Sequence, residues 1–348
     1  MRRILVCAAP YGGKRVFGRI ALVGEILVDL LGEGGESLEQ ATLFRPSPGG
    51  APANAAVAAS RAGAEAVFVG RVGNDAFGRL LRTTLANAGV DVHLLRADPA
   101  LCTTLAFVLP AARGAHGFQF MRGADAALNP DDLPADLFVD LSALGCGGVS
   151  LSAPAARRAT LAALRAAGAA GALTLFDVNW RPPLWASSDQ ALAAFRGAIA
   201  LADLVKCNEA ELELLCGSQG GVAERARGLL APSGRSGPAA VVVTLGPGGA
   251  EWIDRAGSVR HPGFTVPAVD AIGAGDCFTG TLLAWWARCG SCGAAGLREL
   301  SPERIMGLLE RCDAAAALST LQPGAMGAMP AAAEVDAFLA RVHRRHGG

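Results

Sequence analysis

A carboxylate that follows three small residues is the feature of the sequence that most strongly suggests chemistry. The segment reads VDAIGAGDCFTG over residues 269–280, and an apolar stretch typical of a helix follows Asp276. Small residues let the backbone approach a ligand closely, and free N–H groups at a helix start attract anions. A carboxylate there can take a proton from a hydroxyl while the N–H groups hold developing phosphoryl charge. The same residues also suit a tight turn with Asp276 in the first turn of an ordinary helix.

A second segment pairs two glycines with an amide side chain and reads PGGAPANAAVAASRAG over residues 48–63. Gly49 and Gly50 permit a positive φ or close contact with a ligand, and Asn54 offers both a donor and an acceptor. A glycine turn before an alanine-rich helix is the alternative. The stretch LGPGG at 245–249 follows an apolar run and suits the edge of a nucleotide or a plain turn. Neither the Walker A spacing nor the Rossmann fingerprint occurs in the chain.

The elements that must position these residues alternate between strand and helix, which predicts a mostly parallel α/β sheet. The run at 239–245 is apolar, as expected of a strand covered on both faces, and the run at 20–30 predicts one buried strand that ends in charge. Regions 26–44 and 102–121 break the alternation and predict added strands or hairpins that form a separate flap. Further predicted strands lie at 66–72, 103–109, 117–121, 172–177 and 204–207, and predicted helices at 53–62, 77–88, 153–170, 189–201, 272–289 and 303–320.

Composition places the chain among globular proteins and excludes several classes of function. Hydrophobic residues make up 51% of the 348 residues and charged residues 18%, which is not the composition of a disordered chain. Lys and Arg together number 31, as do Asp and Glu, so bulk charge favours neither nucleic acid nor an anionic membrane as a partner. No long uncharged apolar stretch predicts a membrane span. Nine scattered cysteines indicate reduced thiols in the cytoplasm, and the basic segment 1–18 predicts a disordered extension.

The two glycine segments together resemble the two signature regions of the ribokinase-like, or PfkB, carbohydrate kinase family. The resemblance extends from about residue 21 to residue 330, and the supporting motifs follow in the order of the family. The motif at 177–185 is similar to the DxNxR segment of fructokinases and ketodeoxygluconate kinases, and the ending at 319–330 is similar to the fructokinase tail. The supporting motifs are GEILVD at 24–29, GRVGNDAFG at 70–78, DVNWRPPLW at 177–185, NEAE at 208–211, VVVTLGPGG at 241–249 and STLQPGAMGAMP at 319–330.

The resemblance implies an α/β fold of the ribokinase-like type, a three-layer sandwich with a mostly parallel central sheet and a small β lid over the sugar. It implies a single kinase domain over residues 19–348, with lid segments at roughly 26–46 and 102–125. Two lids that pair would make a homodimer. The implied ligands are a small-molecule sugar, ATP and Mg²⁺, with K⁺ as a further cation.

The resemblance also implies roles for single residues. Asp276 would be the base that deprotonates the acceptor hydroxyl, and Gly273, Ala274 and Gly275 would supply the anion hole. Asp313 stands near the adenine where related sequences often carry Asn, which leaves the nucleotide preference open. The other implied contacts are Asp29, Gly49, Gly50 and Asn54 for the sugar, Thr244, Gly246, Gly249 and Asp313 for ATP, Asn208 and Glu211 for Mg²⁺ through water, and Asp270 for a monovalent cation.

Substrate choice depends on one carboxylate and two arginines. A free guanidinium of Arg122 or Arg181 would suit the carboxylate of a keto-deoxy sugar acid, although each also suits a structural ion pair. Asp29 accepts hydrogen bonds from hydroxyls and would repel an acid. We therefore expect a fructokinase, with 2-keto-3-deoxygluconate kinase as the alternative and ribose or a nucleoside after it. A catalytically inactive sugar-sensing or scaffold protein is a hypothesis of another class, but it would not need Asp276 together with the GAG and NxxE motifs.

Overall fold

Strands and helices alternate along most of the chain. The computed structural model describes residues 18–109, 117–231, 237–289 and 293–346, so the predicted disordered extension lies almost entirely outside the described residues. No helix within these ranges is both long and apolar enough to cross a bilayer. The strands are β1 (Arg19–Val23), β2 (Leu27–Glu33), β3 (Leu43–Gly49), β4 (Glu65–Gly73), β5 (Leu95–Asp98), β6 (Leu105–Leu109), β7 (Gly117–Met121), β8 (Leu141–Gly147), β9 (Leu173–Asp177), β10 (Leu204–Asn208), β11 (Ala240–Thr244), β12 (Ala250–Asp254) and β13 (Ser258–His261), and the helices are α1 (Ala51–Arg61), α2 (Ala76–Asn87), α3 (Pro154–Ala169), α4 (Ser188–Ile199), α5 (Glu209–Cys216), α6 (Val222–Arg227), α7 (Ala274–Cys289), α8 (Gly293–Arg298), α9 (Pro302–Ser319) and α10 (Ala332–His346).

Nine strands form one sheet in the order β13-β12-β11-β10-β9-β8-β1-β4-β5. All neighbouring strands from β11 to β5 run parallel, whereas β12 and β13 close one edge in antiparallel pairing. Ile20 and Leu22 of β1 pack in the layer of α1, α7 and α9, while Ala21 and Val23 pack in the layer of α3 and α4. Helices on both faces of the sheet make the three-layer sandwich that the resemblance implies.

The parallel pairing places the carboxyl ends of the strands at one edge of the sheet. Asn208, the last residue of β10, is in register with Thr244, the last residue of β11. Lys206 is likewise in register with Asp177, the last residue of β9. The carboxyl ends of parallel strands are where ligands bind in open α/β sheets. The fold therefore brings together motifs that lie far apart in sequence.

A second sheet of four strands has the order β3-β2-β6-β7 and comes from the two regions that break the alternation. The apolar stretch 20–30, predicted as one strand, is instead two strands in different sheets, and that prediction is wrong. The chain turns at Gly24, where φ is 151° and an added Cβ would lie 2.7 Å from both Pro52 and Ser150. Both halves of the stretch are buried, so hydrophobicity alone does not reveal the turn. The predicted connection between the strands at 103–109 and 117–121 lies outside the described residues.

Helices α1 and α7 pack closely because the residues between them are small. A Cβ added at Gly280 of α7 would lie 2.3 Å from the Ala55 carbonyl oxygen and 2.7 Å from the Ala58 Cβ. The two helices carry Asn54 and Asp276 near their first turns. The separation of these two side chains is therefore set by the contact at Gly280.

We expect Gly280→Ala to lower the free energy of unfolding by roughly 1–3 kcal/mol, because overpacking outweighs the helix propensity of alanine. Urea denaturation measures this change. Gly307→Ala is the matched control, since Gly307 lies inside α9 and nothing lies within 4 Å of an added Cβ. Gly307→Ala should leave the free energy of unfolding unchanged or raise it by up to about 1 kcal/mol. Equal effects of the two substitutions would contradict the account of this contact.

Candidate active site

Asp276 is a buried carboxylate at the start of α7, held by amide side chains from two other elements. Asn54 Nδ2 on α1 donates to Oδ2 at 2.8 Å, and Asn179 Nδ2, which follows β9, donates to Oδ1 at 3.4 Å. Burial raises the pKa of Asp276, whereas the bond from Asn54 and the charge of Lys206 lower it. The carboxylate is thus held at both oxygens and largely shielded from water, which suits a positioned general base.

Open backbone N–H groups lie beside this carboxylate. Gly273 has φ of 81°, a conformation that glycine adopts readily, and it turns the chain into α7. The N–H groups of Gly275 and Asp276 have no hydrogen-bond acceptor among the described residues. The N–H of Ala274, predicted as part of the anion hole, instead donates to the Ala271 carbonyl at 3.2 Å. The helix start can therefore bind an anion, chiefly through Gly275 and Asp276.

Asp29 on β2 faces the paired glycines. A Cβ added at Gly49 would lie 2.1 Å from Asp29 Oδ2, so only glycine leaves room for this carboxylate. Gly50 has φ of 105° and begins α1. Burial raises the pKa of Asp29 to about 7; the charge of Arg181 lowers it and the charge of Asp276 raises it. Asp29 and Asp276 therefore lie close enough for their charges to interact, and the role of Asp29 toward a sugar stays a prediction.

Two buried acceptors beside Asp276 have no partner. Asn54 Oδ1 and Asn179 Oδ1 are buried and make no hydrogen bond with the described residues. Asn179 also has φ of 39°, in the left-handed region. Buried polar atoms in native proteins are nearly always paired, so these two oxygens fit the hydroxyl donors of a ligand. The sequence prediction missed Asn179, although it stands in the motif at 177–185 from which Arg181 was selected.

The structure gives the two candidate arginines different partners. Arg122 Nη2 lies 2.7 Å from Asp125 Oδ2, and its Nη1 donates to Ser152 Oγ at 2.8 Å. Arg122 is therefore a structural ion pair, which was the alternative to a sugar contact. Arg181 donates to the Trp180 carbonyl at 3.2 Å and has no carboxylate within ion-pair distance in the described ranges. Of the two, Arg181 is the guanidinium available to a ligand.

Asn208 and Glu211 form a capping box at the start of α5. Asn208 Oδ1 accepts from the Glu211 N–H, and Glu211 Oε2 accepts from the Asn208 N–H, both at 2.9 Å. Glu211 Oε1 accepts from the Trp180 N–H at 2.9 Å. Burial raises the pKa of Glu211, and the charge of Asp177 raises it further. Glu211 is thus a buried connector between α5 and the loop after β9.

No group of three or more His, Cys, Asp or Glu side chains within the described ranges is arranged to hold a metal ion. Mg²⁺ commonly keeps several waters and uses one or two carboxylates with substrate phosphates. Asn208 and Glu211 are predicted to act in that mode through water; both Glu211 oxygens already accept backbone N–H groups, and the role toward Mg²⁺ stays a prediction. The residue predicted for a monovalent cation, Asp270, accepts N–H groups from Ile272 and Gly324, each at 2.9 Å, and so joins two loops. Its role toward a cation stays a prediction.

The loop after β11, which is predicted to border a nucleotide, is open at Gly246 and closely packed at Gly249. Thr244 ends the strand, and Gly246 has φ of 56° with nothing within 4 Å of an added Cβ. Gly249 has φ of 83°, and an added Cβ there would lie 2.1 Å from the His261 carbonyl oxygen. Asp313 on α9 is buried, and its Oδ2 lies 2.6 Å from His261 Nδ1. The Asp313 carboxylate therefore supports this loop through His261.

The arrangement combines a shielded carboxylate, open N–H groups at a helix start and unpaired hydroxyl acceptors at one sheet edge. A carboxylate can accept the proton of a hydroxyl while the N–H groups bind an anionic group that moves onto its oxygen. This combination is suited to the transfer of a phosphoryl group to an alcohol.

Comparison with known proteins agrees with this chemistry. A family model described as pfkB family carbohydrate kinase matches residues 18–332. The fructokinase of Klebsiella pneumoniae is 39% identical over 316 residues, which cover 90% of this chain and 96% of the relative. A probable fructokinase-2 of Arabidopsis thaliana is 37% identical over 327 residues, which cover 92% of this chain and 96% of the relative.

Solved structures with the same fold include enzymes in complex with nucleotide. The fructokinase of Xylella fastidiosa with bound ATP has a TM-score of 0.84 and 31% identity, and the match covers 94% of this chain and 100% of that chain. The fructokinase of Vibrio cholerae O395 in its fructose-, ADP- and calcium-bound form has a TM-score of 0.79 and 32% identity, with coverages of 93% and 99%. A candidate ribokinase II of E. coli in complex with ATP and Mg²⁺ has a TM-score of 0.79 and 25% identity, with coverages of 94% and 100%.

We expect Glu211→Gln to lower the free energy of unfolding by roughly 1.5–3 kcal/mol, because the amide leaves one buried backbone N–H without its charged acceptor. Glu209→Gln is the matched control, since Glu209 is exposed on the first turn of the same helix. Urea denaturation of both variants measures the difference. If the two substitutions cost the same, Glu211 does not act as the connector described above.

Proposed function

The chain belongs to the pfkB family of carbohydrate kinases, and we propose that it transfers the γ-phosphoryl group of ATP to a hydroxyl of D-fructose. The observation that carries the proposal is the convergence of Asp276, the open N–H groups of α7 and the hydroxyl acceptor Asp29 in one space. Fructokinases among the relatives, at 37–39% identity over nine-tenths of the chain, support fructose as the sugar.

Asp276 acts as the general base. It takes the proton of the acceptor hydroxyl as that oxygen forms its bond to the γ-phosphorus and the bond from this phosphorus to the leaving oxygen of ADP breaks. The N–H groups of Gly275 and Asp276 face the phosphoryl oxygens as negative charge builds up on them. Positioning and electrostatic stabilisation supply most of the rate in such in-line transfers.

Residues of the β11 loop and of α5 hold the nucleotide side of the site. Thr244, Gly246 and Gly249 border ATP, and Asp313 fixes their loop through His261. Asn208 and Glu211 organise Mg²⁺ through water; when bound, the ion supplies positive charge to the phosphates. The need for ATP and the reduced thiols of the described cysteines favour a cytoplasmic location.

A neutral polyol is the substrate that suits the sugar side. Asp29 accepts hydroxyl hydrogens, and Asn54 Oδ1 and Asn179 Oδ1 are acceptors with no donor in the part of the chain that the structure describes. A sugar carboxylate would lie beside the carboxyl groups of Asp29 and Asp276, where the charge of Asp276 already disfavours the ionised form of Asp29. Fructose therefore satisfies more of these groups than an acid does.

The second candidate substrate is 2-keto-3-deoxygluconate, and the observation that favours it is the guanidinium of Arg181, which has no carboxylate partner among the described residues. An ATP-consumption screen over fructose, 2-keto-3-deoxygluconate, ribose, adenosine and fructose phosphates decides between them. We expect the highest kcat/KM with fructose. A higher kcat/KM with 2-keto-3-deoxygluconate would make that acid the substrate and leave the phosphoryl-transfer chemistry unchanged.

Asp276→Asn should lower kcat by roughly 10²–10⁴-fold, because the amide keeps the shape but cannot accept the proton. ATP binding, measured by titration calorimetry, should persist. Asp189→Asn is the control, since Asp189 is exposed in the first turn of α4. A fall in kcat of less than about tenfold in a folded variant would show that Asp276 is not the base.

Asp29→Ala should lower kcat/KM for fructose by roughly 10–150-fold, the cost of losing a hydrogen bond to a charged acceptor. Arg181→Ala should lower kcat/KM for fructose by less, since a neutral sugar gains little from the charge of Arg181. Measuring both variants with fructose and with 2-keto-3-deoxygluconate tests the ranking. Dominance of Arg181 together with a wild-type preference for the acid would refute fructose as the substrate.

A further inference from the structure

A buried ion pair beneath the start of α7 has no part in the mechanism above. Lys206 on β10 is 6% exposed, and its Nζ lies 2.9 Å from Asp177 Oδ2 at the end of β9. Thr279 Oγ1 on α7 donates to the same carboxylate oxygen at 2.8 Å. The pair thus joins two strand ends to the helix that carries Asp276.

Lys206 lies against the anion-binding turn itself. A Cβ added at Gly275 would lie 2.9 Å from Lys206 Nζ. Gly275 is not among the residues with positive φ, and apart from its own helix the only atoms within 4 Å of an added Cβ belong to the Lys206 side chain. The ammonium therefore lies next to one of the two open N–H groups.

Stability does not account for a cation in this place. The positive end of the helix macrodipole disfavours a cation at a helix start. A buried ion pair is in general no more stabilising than well-packed apolar side chains of the same size. A cation that is unfavourable for the helix is favourable for an anionic ligand bound at the same N–H groups.

The choice of lysine is also specific. Only two of the 31 Lys and Arg residues in the chain are lysines, Lys14 and Lys206. An ammonium is a compact point charge, whereas a guanidinium is a broad planar fork. The chain uses arginine almost everywhere a cation is needed, but it places a lysine beside Gly275, in an ion pair with Asp177.

We propose that Lys206 is a positioning residue for phosphoryl transfer, whose ammonium orders the Gly275–Asp276 turn and keeps Asp276 in the ionised form that accepts the proton. The inference rests on the proposed role of Asp276 as the base and does not depend on which sugar is phosphorylated. Asp177 holds the ammonium in place and opposes its effect on Asp276.

The charges that face Asp276 come from four places. Lys206 on β10 and Arg181 after β9 are positive and favour the ionised carboxylate. Asp177 on β9 is negative and disfavours it. Asp29 on β2 is the fourth group, and the charge of Asp276 raises its pKa. Removing Lys206 should therefore raise the pKa of Asp276, and removing the charge of Asp177 should lower it.

The test is the pH dependence of kcat at saturating sugar, ATP and Mg²⁺, because kcat reports the base in the complex, where Asp29 already binds the sugar. Lys206→Met should move the acidic limb to higher pH by roughly one unit or more, and Asp177→Asn should move it to lower pH. The double variant should return it toward the wild-type position. Lys206→Arg should also leave the limb near the wild-type position while lowering kcat, because it keeps the charge but not the compact shape.

Opposite shifts in the two single variants, cancelled in the double variant, support the proposal. Loss of turnover with no shift, or shifts in the same direction, would overturn it and leave the pair a purely structural link. If Lys206→Met does not fold, the acidic limbs of Asp177→Asn and of the double variant are compared instead, because these two proteins also differ only at Lys206. Failure of the base assignment is separate, since it shows as near-normal turnover in Asp276→Asn.

Discussion

The hydrogen bond from Asn54 to Asp276 joins residues 222 positions apart, and the rest of the site depends on the close helix contact that permits it. The contact exists because α1 and α7 face each other with alanines and Gly280. The start of α1 brings Gly49 and Gly50 to Asp29, and the start of α7 brings the open N–H groups. If the two helices separated, the hydroxyl acceptors and the base would no longer face one substrate.

Electrostatic balance is the second constraint on the site. Burial raises the pKa of Asp29 and of Asp276; the charge of Asp276 raises that of Asp29 further, and the charge of Asp177 raises that of Asp276. Lys206 and Arg181 offset part of this repulsion. The negative side of the space suits the hydroxyls of a sugar, and the positive side, with the helix start, suits a phosphoryl group. The division of charge therefore matches the two substrates of a carbohydrate kinase.

The sequence was sufficient to predict the alternating fold, the small second sheet and the glycine segments, because each has a local pattern. Tertiary contacts decided the rest. Gly24 divides an apolar run whose two halves are both buried, and Arg122 is neutralised by Asp125 three residues away. Asn179 and Lys206 were not selected, since their importance comes from contacts with Asp276 and Gly275. One signal for Lys206 was present, namely a lysine in a chain that otherwise uses arginine almost throughout.

The most direct test of the central claim is a crystal structure of the enzyme with fructose and a non-hydrolysable ATP analogue. The account predicts that one fructose hydroxyl lies about 2.6–3.2 Å from an Asp276 carboxylate oxygen and in line with the γ-phosphorus. It also predicts γ-phosphoryl oxygens at the N–H groups of Gly275 and Asp276. A sugar bound with no hydroxyl within hydrogen-bond reach of Asp276, or a γ-phosphoryl group away from the start of α7, would contradict it.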